Sequence, residues 1–453
     1  MPRVRTSGII ALGAGATILL SFVTQWFILT RLGASRVTDA YFAALAVPVV
    51  LLYVFGDPLN RIALPMLSVR RNAEFWTFAW TTLQVSCLFF LATAALLLLT
   101  VGRWIPLLVP GFSSSAVAQT TSLARILVFG MACQGVSIAA RAVWNGGSRF
   151  IWPSLASAIA AGCGLAILVA TLRRFGVSAA AWAFDARFGI ECLFLVIPLG
   201  NYSLPRWSDV GPFVRKARPL IVGAAYFRTD VLVDRVLTSL APAGGLSLLY
   251  LAQQLLSAIG QVINQSVVTP SIPALATAAH ASQWDEFAKT ARGGVRNLLA
   301  LGVAMLVGFL LLGRPALSLI FAHQAMGAHE IGRLALLILS LTGMLLLDGV
   351  VYFVYSAFYS AGDTMTPTVA TAAVYSVSVA VKVAAFMMTG IVGLAVAISA
   401  YYVSNALVLL FLLHGKLRRD RTAGGFRVVG DATIPVAALG SPALVTTTSI
   451  EPG

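Results

Sequence analysis

The sequence predicts an all-α integral membrane protein with about 12 transmembrane helices in two pseudo-symmetric six-helix lobes. Of its 453 residues, 59% are hydrophobic and only 10% are charged, whereas soluble domains carry about 25% charged residues. Each spanning helix needs about 20 apolar residues, and such stretches recur along the chain. They also repeat in order, since Pro65 recurs as Pro273 and Gly176 recurs as Gly390. Duplicated membrane bundles are typical of carriers, so the pattern favours a transporter over an enzyme.

The apolar stretches place each helix in turn along the chain. The first, from Gly8 to Leu29, is longer than the apolar region of about 7–15 residues in a cleavable signal peptide, so we expect it to remain as a membrane helix. We expect spans at 7–30, 38–67, 77–101, 119–143, 152–172, 177–199, 219–240, 245–275, 294–321, 331–360, 368–389 and 391–414.

These spans divide the chain into domains. Residues 1–199 are predicted to form an N-terminal lobe with the first six helices, and residues 218–414 a C-terminal lobe with the last six. A cytoplasmic linker at 200–217 joins the two lobes. Residues 415–453 are polar and contain Gly and Pro, so they are predicted to be a disordered cytoplasmic tail.

The loop charges predict the orientation in the membrane. Most Lys and Arg residues outside the spans lie on the side that holds the N-terminus, among them Arg70, Arg215 and Lys216. Cytoplasmic loops retain positive charge, so we expect both termini to be cytoplasmic. The net charge of +15 therefore indicates orientation and attraction to anionic lipid headgroups, and not a nucleic-acid partner.

Metal and cofactor chemistry are not indicated by the cysteines and histidines. All four cysteines fall in apolar segments, without CxxC spacing or paired histidines, which is typical of small buried side chains. No nucleophile or metal-protease motif is present either. We therefore expect no catalytic residue, no metal and no cofactor.

Ionisable residues within the spans are the candidate functional residues, because a charge at mid-bilayer costs at least about 2.5–3.5 kcal/mol. In the sixth span, Arg187 and Glu191 are four residues apart and share a helix face, while Asp185 points elsewhere. One interpretation is a self-neutralised pair that stabilises the N-terminal lobe. The other is a cavity cation that stays balanced until an anionic substrate binds.

The seventh span contains the densest group of charges. Asp230 and Asp234 share one face, where two carboxylates can bind a cation or share a proton. Arg228 and Arg235 are seven residues apart and share another face, where two guanidinium groups can hold a pyrophosphate. The alternatives are a substrate or coupling-ion site and a set of structural salt bridges.

The eighth span carries a polar stripe, in which Gln254, Ser257 and Gln261 follow helical spacing. This pattern favours the wall of a wet cavity over a lipid-facing surface. Prolines at related places in the second and eighth spans predict bends that alternating access can use. The alternative is that these are ordinary prolines of membrane helices without a role in transport. These prolines are Pro48, Pro65, Pro270 and Pro273.

Three motifs resemble a known family. They are Gly33-Ala-Ser-Arg-Val-Thr38-Asp39-Ala-Tyr-Phe, Leu232-Val-Asp234-Arg235 followed by Leu248-Leu-Tyr250-Leu-Ala-Gln-Gln254, and Ala357-Phe-Tyr359-Ser-Ala-Gly362-Asp363-Thr364-Met-Thr-Pro367. They are similar to motifs of the MurJ/MviN family, the lipid II flippases of the multidrug/oligosaccharidyl-lipid/polysaccharide exporter (MOP) superfamily. That superfamily also includes the MATE carriers, so the resemblance implies a MOP/MATE-like fold.

The resemblance implies a carrier that moves an undecaprenyl-pyrophosphate-linked saccharide across the bacterial inner membrane. The two lobes would rock around a central cationic cavity, with Na⁺ or H⁺ as a coupling ion. The implied partners are the polyprenyl-linked saccharide and membrane lipids, for a chain that acts as a monomer.

The sequence departs from this family where the family carries cavity charges. The family's double arginine of the second helix is replaced by Leu52-Tyr53, and the glutamate that follows is Asp57. The Asp-Arg of the eighth helix is replaced by Gln253-Gln254, and the charges of the first helix are absent.

We expect Arg187, Arg228 and Arg235 to substitute for the missing arginines, with Asp57 as a charge-balancing residue. A changed cavity favours the repeat unit of an exopolysaccharide over lipid II. A cation-coupled efflux carrier that uses Asp230 and Asp234, or a non-transporting scaffold of cell-envelope assembly, remain alternatives.

Overall fold

The described part of the chain is helical. The computed structural model describes residues 2–200, 202–321 and 327–422, with residues 2–7, 265 and 419–422 described as backbone only. The described helices form two compact units, one from residues up to 251 together with those between 315 and 335, and the other from residues 252–314 together with those from 336 to 422.

Fourteen helical elements follow one another along these residues. They are α1 (Pro2–Leu32), α2 (Arg36–Leu51), α3 (Asp57–Ser68), α4 (Asn72–Leu108), α5 (Ser114–Gly146), α6 (Ile151–Phe175), α7 (Val177–Val196), α8 (Val210–Ser239), α9 (Gly245–Ile263), α10 (Thr269–His280), α11 (Trp284–Phe321), α12 (Ala328–Ser340), α13 (Thr342–Ser360) and α14 (Met365–Thr422). A single 3₁₀ turn, Trp207–Asp209, precedes α8.

These elements group into 12 helices when α2–α3, α9–α10 and α12–α13 are each taken as one helix and α14 is divided at Gly390. The prediction of an all-α membrane protein with about 12 spans is therefore confirmed. Within the described residues, 9 helices are long and apolar enough to cross a membrane. The helices α7 and α8 fall outside that group because their windows carry charged residues.

Short π-helical segments interrupt two spans at related places. Leu52–Gly56 joins α2 to α3, and Asn264–Val268 joins α9 to α10. Each ends just before a proline in the first turn of the next helix, Pro58 or Pro270. Proline has no N–H and displaces the carbonyl of the preceding turn, so the hydrogen-bond ladder widens locally. Of these two prolines, only Pro270 is among the bends predicted from the sequence.

Two glycines at equivalent repeat positions end the fifth and the eleventh spans. Gly176 has φ 55° and ψ −138°, and Gly390 has φ 65° and ψ −140°. Only glycine adopts this conformation without strain. The repeat inferred from the sequence therefore reappears as the same backbone turn, which separates α6 from α7 and divides α14.

A side chain inserted between helices causes the break between α12 and α13, where the sequence predicts one continuous span at 331–360. The hydroxyl of Ser399 donates to the carbonyl of Ser340 at 2.6 Å and accepts from the N–H of Gly343 at 3.0 Å. Inserted hydrogen-bonding groups are a recognised cause of helix kinks.

Each unit has its own apolar core. In the first, large buried side chains of α4, α5 and α7 pack together, including Phe90, Met131 and Leu195. In the second, Phe287, Phe353 and Phe358 of α11 and α13 pack against α14.

The helix α8, which the sequence assigns to the C-terminal lobe, belongs to the first compact unit. Its residues Ala217 and Leu220 pack on Ile62 of α3. The lobe boundaries 1–199 and 218–414 stay a prediction. The last helix continues to Thr422, past the start of the tail predicted at 415, and residues 423–453 of that tail lie outside the described residues.

An ion pair fastens the start of α14 to its end. Asp363 accepts the N–H of Thr366 at 3.1 Å and contacts the ammonium of Lys416 at 3.2 Å. Burial alone would raise the pKa of Asp363, but these hydrogen bonds and the Lys416 charge together lower it.

Because its pKa is lowered, Asp363 stabilises the fold when it is ionised. We expect Asp363→Ala to lower the free energy of unfolding by about 1 kcal/mol or more at neutral pH. The penalty should persist at every pH above the ordinary aspartate value of 3.8 and disappear as the pH falls through the lowered pKa. Thermal unfolding in detergent from pH 7 to pH 3 measures this difference. A penalty that does not change with pH would contradict the ion pair.

Candidate functional site

The charged stretch of α8 runs through the first unit. Asp234 and Arg235 are buried, and Arg228 is half-buried. Arg228 and Arg235 are about 10 Å apart along the helix axis, at 1.5 Å per residue, and lie on one face. The helix therefore presents two guanidinium groups to the protein interior and not to lipid.

Arg228 lies against the π-helical segment of the second span. Its guanidinium carbon is 3.8 Å from the centre of the Tyr53 ring, a close cation–π contact. Asp57 lies within electrostatic range of both Arg228 and Arg61. Arg228 therefore has two partners from this region, the Tyr53 ring of the π-helical segment and the Asp57 carboxylate at the start of α3.

Arg235 is the more deeply placed cation. Its guanidinium lies 4.8 Å from the centre of the Tyr250 ring, and that ring stacks on Phe42 at 4.5 Å. Its Nε and Nη1 atoms are buried and have no hydrogen-bond partner among the described residues. A desolvated cation with unused donors is costly unless a partner binds. This geometry suits an anion that arrives and leaves.

The residues Asp230 and Asp234, on the same helix, accompany these arginines. Asp230 is half-buried and Asp234 is 4% exposed. Asp234 lies within electrostatic range of Arg235, as does Asp39 of α2. The stretch is therefore charge-balanced by carboxylates from two helices.

A second charged group lies between α5 and α7. The structure adds a partner to the pair expected from the sequence, because Glu191 forms an ion pair with Arg141 of α5, while Arg187 lies within its electrostatic range. Glu191 also accepts from the hydroxyl of Ser157 at 2.8 Å. It is 1% exposed, so it requires the cation that α5 supplies.

The two other predicted residues of α7 occupy different surroundings. Arg187 is half-buried and lies 5.0 Å from the ring of Phe188, and its Nε is buried without a described hydrogen-bond partner. Asp185 is buried and accepts the N–H of Gly130 at 3.0 Å. Both lie within electrostatic range of Tyr41 in α2.

The predicted polar stripe belongs to the second unit. Gln254 and Gln261 are half-buried on α9. On the same helix, Gly260 approaches Asp348 of α13 so closely that a Cβ would meet the carboxylate at 2.6 Å. Asp348 accepts a hydrogen bond from Tyr402 of α14. Three helices of the second unit, α9, α13 and α14, therefore contribute polar side chains here.

A buried carboxylate joins the start of α2 to the start of α9. Asp39 is fully buried and accepts the N–H groups of Gly244 and Ser247, both at 2.8 Å. It also accepts the Ser247 hydroxyl in a very short hydrogen bond, and that hydroxyl lies 3.0 Å from Thr38 Oγ1. We call Thr38, Asp39, Gly244 and Ser247 the α2–α9 latch.

Glycine is required in the latch for two reasons. Gly244 has φ +81°, and a Cβ there would lie 2.7 Å from the carbonyl carbon of Ala34.

Asp39 and Ser247 also occupy equivalent repeat positions, since they have the spacing that separates Pro65 from Pro273. The two repeats therefore meet at the same position of each.

Four residues of these sites are not predicted from the sequence: Asp39 and Arg141 as charged partners, and Tyr53 and Tyr250 as cation-binding rings. Asp39 was visible as part of a motif, and its match to Ser247 could have been found from the repeat. Nothing in the sequence pairs Arg141 with Glu191 or Tyr53 with Arg228.

Comparison with known proteins decides the family. The family model described as "Lipid II flippase MurJ" matches residues 28–451. The chain belongs to this family. Since flippases are transporters and not catalysts, membership supports the expectation that the chain is not an enzyme, and the family is one of multi-pass inner-membrane proteins.

Curated relatives of this MurJ family member are distant. A probable lipid II flippase MurJ of Vibrio cholerae is 28% identical over 224 residues, which are 48% of this chain and 42% of the relative. The corresponding protein of Buchnera aphidicola is 22% identical over 67% of this chain and 63% of the relative. The matched region thus spans less than two thirds of either relative.

Solved structures establish the fold of this MurJ family member more completely. A lipid II flippase MurJ in an inward closed conformation has a TM-score of 0.78 at 18% identity, covering 91% of this chain and 90% of that one. An inward-facing MATE-family multidrug resistance transporter of the MOP superfamily has a TM-score of 0.77 at 14% identity, covering 90% and 96%. The MOP/MATE-like fold is therefore confirmed.

The latch yields a labelling prediction. Asn at position 39 offers one acceptor oxygen and places an amide donor against an N–H or O–H group, so Asp39→Asn should loosen the latch. The lost charge-assisted hydrogen bonds are worth about 1.5–3 kcal/mol. The fraction of molecules with an open latch, in which residue 241 is accessible to water, should therefore rise roughly tenfold or more. In a variant without native cysteines, Ala241→Cys, which replaces a residue only 3% exposed, should react faster with a water-soluble maleimide.

Leu240→Cys provides the matched control, since Leu240 is 51% exposed and should react equally with either residue at position 39. The latch would be rejected if Ala241→Cys stayed equally protected in the Asp39→Asn protein.

Proposed function

We propose that this chain is a MurJ-type flippase that moves an undecaprenyl-pyrophosphate-linked saccharide across the bacterial inner membrane by alternating access. The observation that carries the proposal is the buried guanidinium of Arg235, which has unused donors and shares a helix face with Arg228. Two forked cations about 10 Å apart along one helix suit the several oxygens of a pyrophosphate. Family membership independently points to a lipid-linked saccharide.

The position of Arg228 supports a pyrophosphate site in which arginines of other helices replace those missing from the second helix. Where the resemblance places a double arginine, this chain has Leu52-Tyr53, and Arg228 lies 3.8 Å from the Tyr53 ring. Arg228 of α8 therefore supplies a cation at the position where the family's double arginine is replaced by Leu52-Tyr53. Arg187 is the third proposed substrate-binding cation, and Gln254 and Gln261 are proposed to bind polar groups of the saccharide.

The carboxylates are proposed to balance these cations when the substrate is absent. Asp57, Asp230 and Asp234 accompany the α8 arginines, while Asp185 and Glu191 balance charge in α7. Coupling to Na⁺ or H⁺ through one of these acids is part of the proposal. The sequence departures favour an exopolysaccharide repeat unit, with lipid II as the other candidate substrate.

The latch supports alternating access. It connects the start of the second span to the start of the eighth, which the loop charges place on the outer side when both termini are cytoplasmic. We propose that the latch holds the outer ends of these two spans together in one state of the transport cycle. Opening it requires the hydrogen bonds of Asp39 to break, and the π-helical segments supply deformable places in both spans. We propose that the carrier acts as a monomer.

Flipping assays test the anion-binding assignment. In proteoliposomes, Arg228→Ala and Arg235→Ala should each slow the flipping of a fluorescent undecaprenyl-pyrophosphate-linked sugar at least tenfold, because a desolvated charge-assisted contact is worth more than about 1.4 kcal/mol. The control variant Arg103→Ala removes an exposed arginine of α4, distant in sequence from Arg228 and Arg235, and should leave the flipping rate unchanged. Arg235→Lys keeps the charge and should retain folding. Unchanged rates in both alanine variants would reject the assignment.

A locked latch distinguishes transport from a scaffolding role. Thr38 Oγ1 and Ser247 Oγ are 3.0 Å apart, so the double variant Thr38→Cys and Ser247→Cys can form a disulfide. Oxidation should stop flipping, and a reductant should restore it. Normal cell growth supported by the fully oxidised variant would favour a non-transporting scaffold.

A cation-coupled efflux carrier is the second candidate, since the chain has the fold of a multidrug resistance MATE transporter. Asp230 and Asp234 would then bind the coupling ion. Drug resistance upon expression, abolished by Asp234→Asn, would favour efflux over the flippase.

A further inference from the structure

The segment before α8 exposes apolar and basic side chains together. Tyr202, Leu204 and Trp207 are 68%, 74% and 63% exposed. Four exposed cations accompany them: Arg206, Arg215, Lys216 and Arg218. We call these seven residues the linker patch. Exposed aromatic and aliphatic groups beside cations are typical of a protein surface at the membrane–water boundary.

Hydrogen bonds hold the apolar part of the patch against α4. The hydroxyl of Tyr202 accepts from Gln84 Nε2 at 3.2 Å, and the Tyr202 ring lies 5.0 Å from that of Trp80. The backbone N–H of Arg206 donates to Thr81 Oγ1 at 2.8 Å. The segment therefore has a fixed position along α4.

The length of α4 sets the depth of the patch. Its 37 residues extend about 55 Å at 1.5 Å per residue, whereas the hydrocarbon core is only about 30 Å thick. The continuously apolar part of α4 follows Val85, and Trp76 and Trp80 precede it. Tryptophans are enriched at the headgroup level, so the start of the span expected at 77–101, with Trp76, Trp80 and the attached linker, lies near that level.

The cations of the patch face away from the protein. Ala217 and Leu220 pack on Ile62 and Met66 of α3, which fixes the inner face of the first turns of α8. Arg215, Lys216 and Arg218 lie around the other face and are exposed. They are adjacent in sequence, so they concentrate positive charge at one end of one helix.

We propose that the linker patch is a binding site for the phosphodiester headgroup of anionic phospholipids. Its cations contact the phosphate, while Tyr202, Leu204 and Trp207 insert among the headgroups and upper acyl chains. A lipid is the ligand, and not free phosphate, because the exposed apolar side chains of Leu204 and Trp207 flank the exposed Arg206 along the chain. The site is separate from Arg228 and Arg235 of α8 and does not depend on which substrate is transported.

Energy transfer from tryptophan to dansyl-phosphatidylglycerol in mixed detergent micelles measures this binding, with dansyl-phosphatidylcholine as the headgroup control. The wild-type protein should prefer phosphatidylglycerol. The triple variant Arg215→Gln, Lys216→Gln, Arg218→Gln should bind it at least tenfold more weakly, since each basic residue near an anionic surface contributes roughly fivefold. Arg206→Gln alone should cause a smaller loss and guards against a folding failure of the triple variant.

The matched control removes three other exposed arginines, with Arg103→Gln, Arg173→Gln and Arg174→Gln, and should keep the preference. Glycerol phosphate at millimolar concentration should not compete. The proposal would be overturned by equal binding of the two lipids, by an equal loss in the control variant, or by full competition from glycerol phosphate. None of these outcomes bears on flipping, so failure here is distinguishable from failure of the proposed function.

Discussion

The structure is organised around the cost of placing charge inside a membrane. A guanidinium in hydrocarbon is several kcal/mol less stable than in water, and α8 carries two. Arg228 lies on the Tyr53 ring and near Asp57, while Arg235 lies on Tyr250 and near Asp39 and Asp234. These contacts come from α2, α3 and α9, so the charges of α8 determine which helices pack around it. The unused donors of Arg235 leave room for one more partner, which in the proposed function is the anionic substrate.

The same helices are joined at one end by the α2–α9 latch. Asp39 and Ser247 are equivalent positions of the two repeats, so one contact between the repeats is made by the same position of each. Such contacts are characteristic of pseudo-twofold interfaces, where matching surfaces face each other. A single carboxylate that gathers three donors is strong when complete and weak when one is lost. This behaviour suits a closure that must hold in one state and open in another.

The sequence alone predicted the features that depend on local chemistry and periodicity. Hydropathy predicted the spans, and the matching glycines Gly176 and Gly390 indicated the repeat, because both features depend only on which residues stand at which positions. The sequence did not predict that Glu191 pairs with Arg141, since helix spacing alone favours the neighbour Arg187 four residues away. It also named Pro48 and Pro65 as bends and overlooked Pro58, because the place where a ladder widens depends on packing as well as on proline. Contacts between distant segments, such as Arg228 with Tyr53, require the fold.

The central claim is that Arg228 and Arg235 of α8 face a site that opens to water and receives a pyrophosphate. Chemical modification of Leu232→Cys, which lies between Arg228 and Arg235 on the same helix face, in a protein without its native cysteines, tests this claim directly. A charged, water-soluble methanethiosulfonate should modify the thiol, and undecaprenyl pyrophosphate should protect it. A thiol that reacts only with a membrane-soluble reagent, or that the lipid pyrophosphate leaves unprotected, would contradict the account.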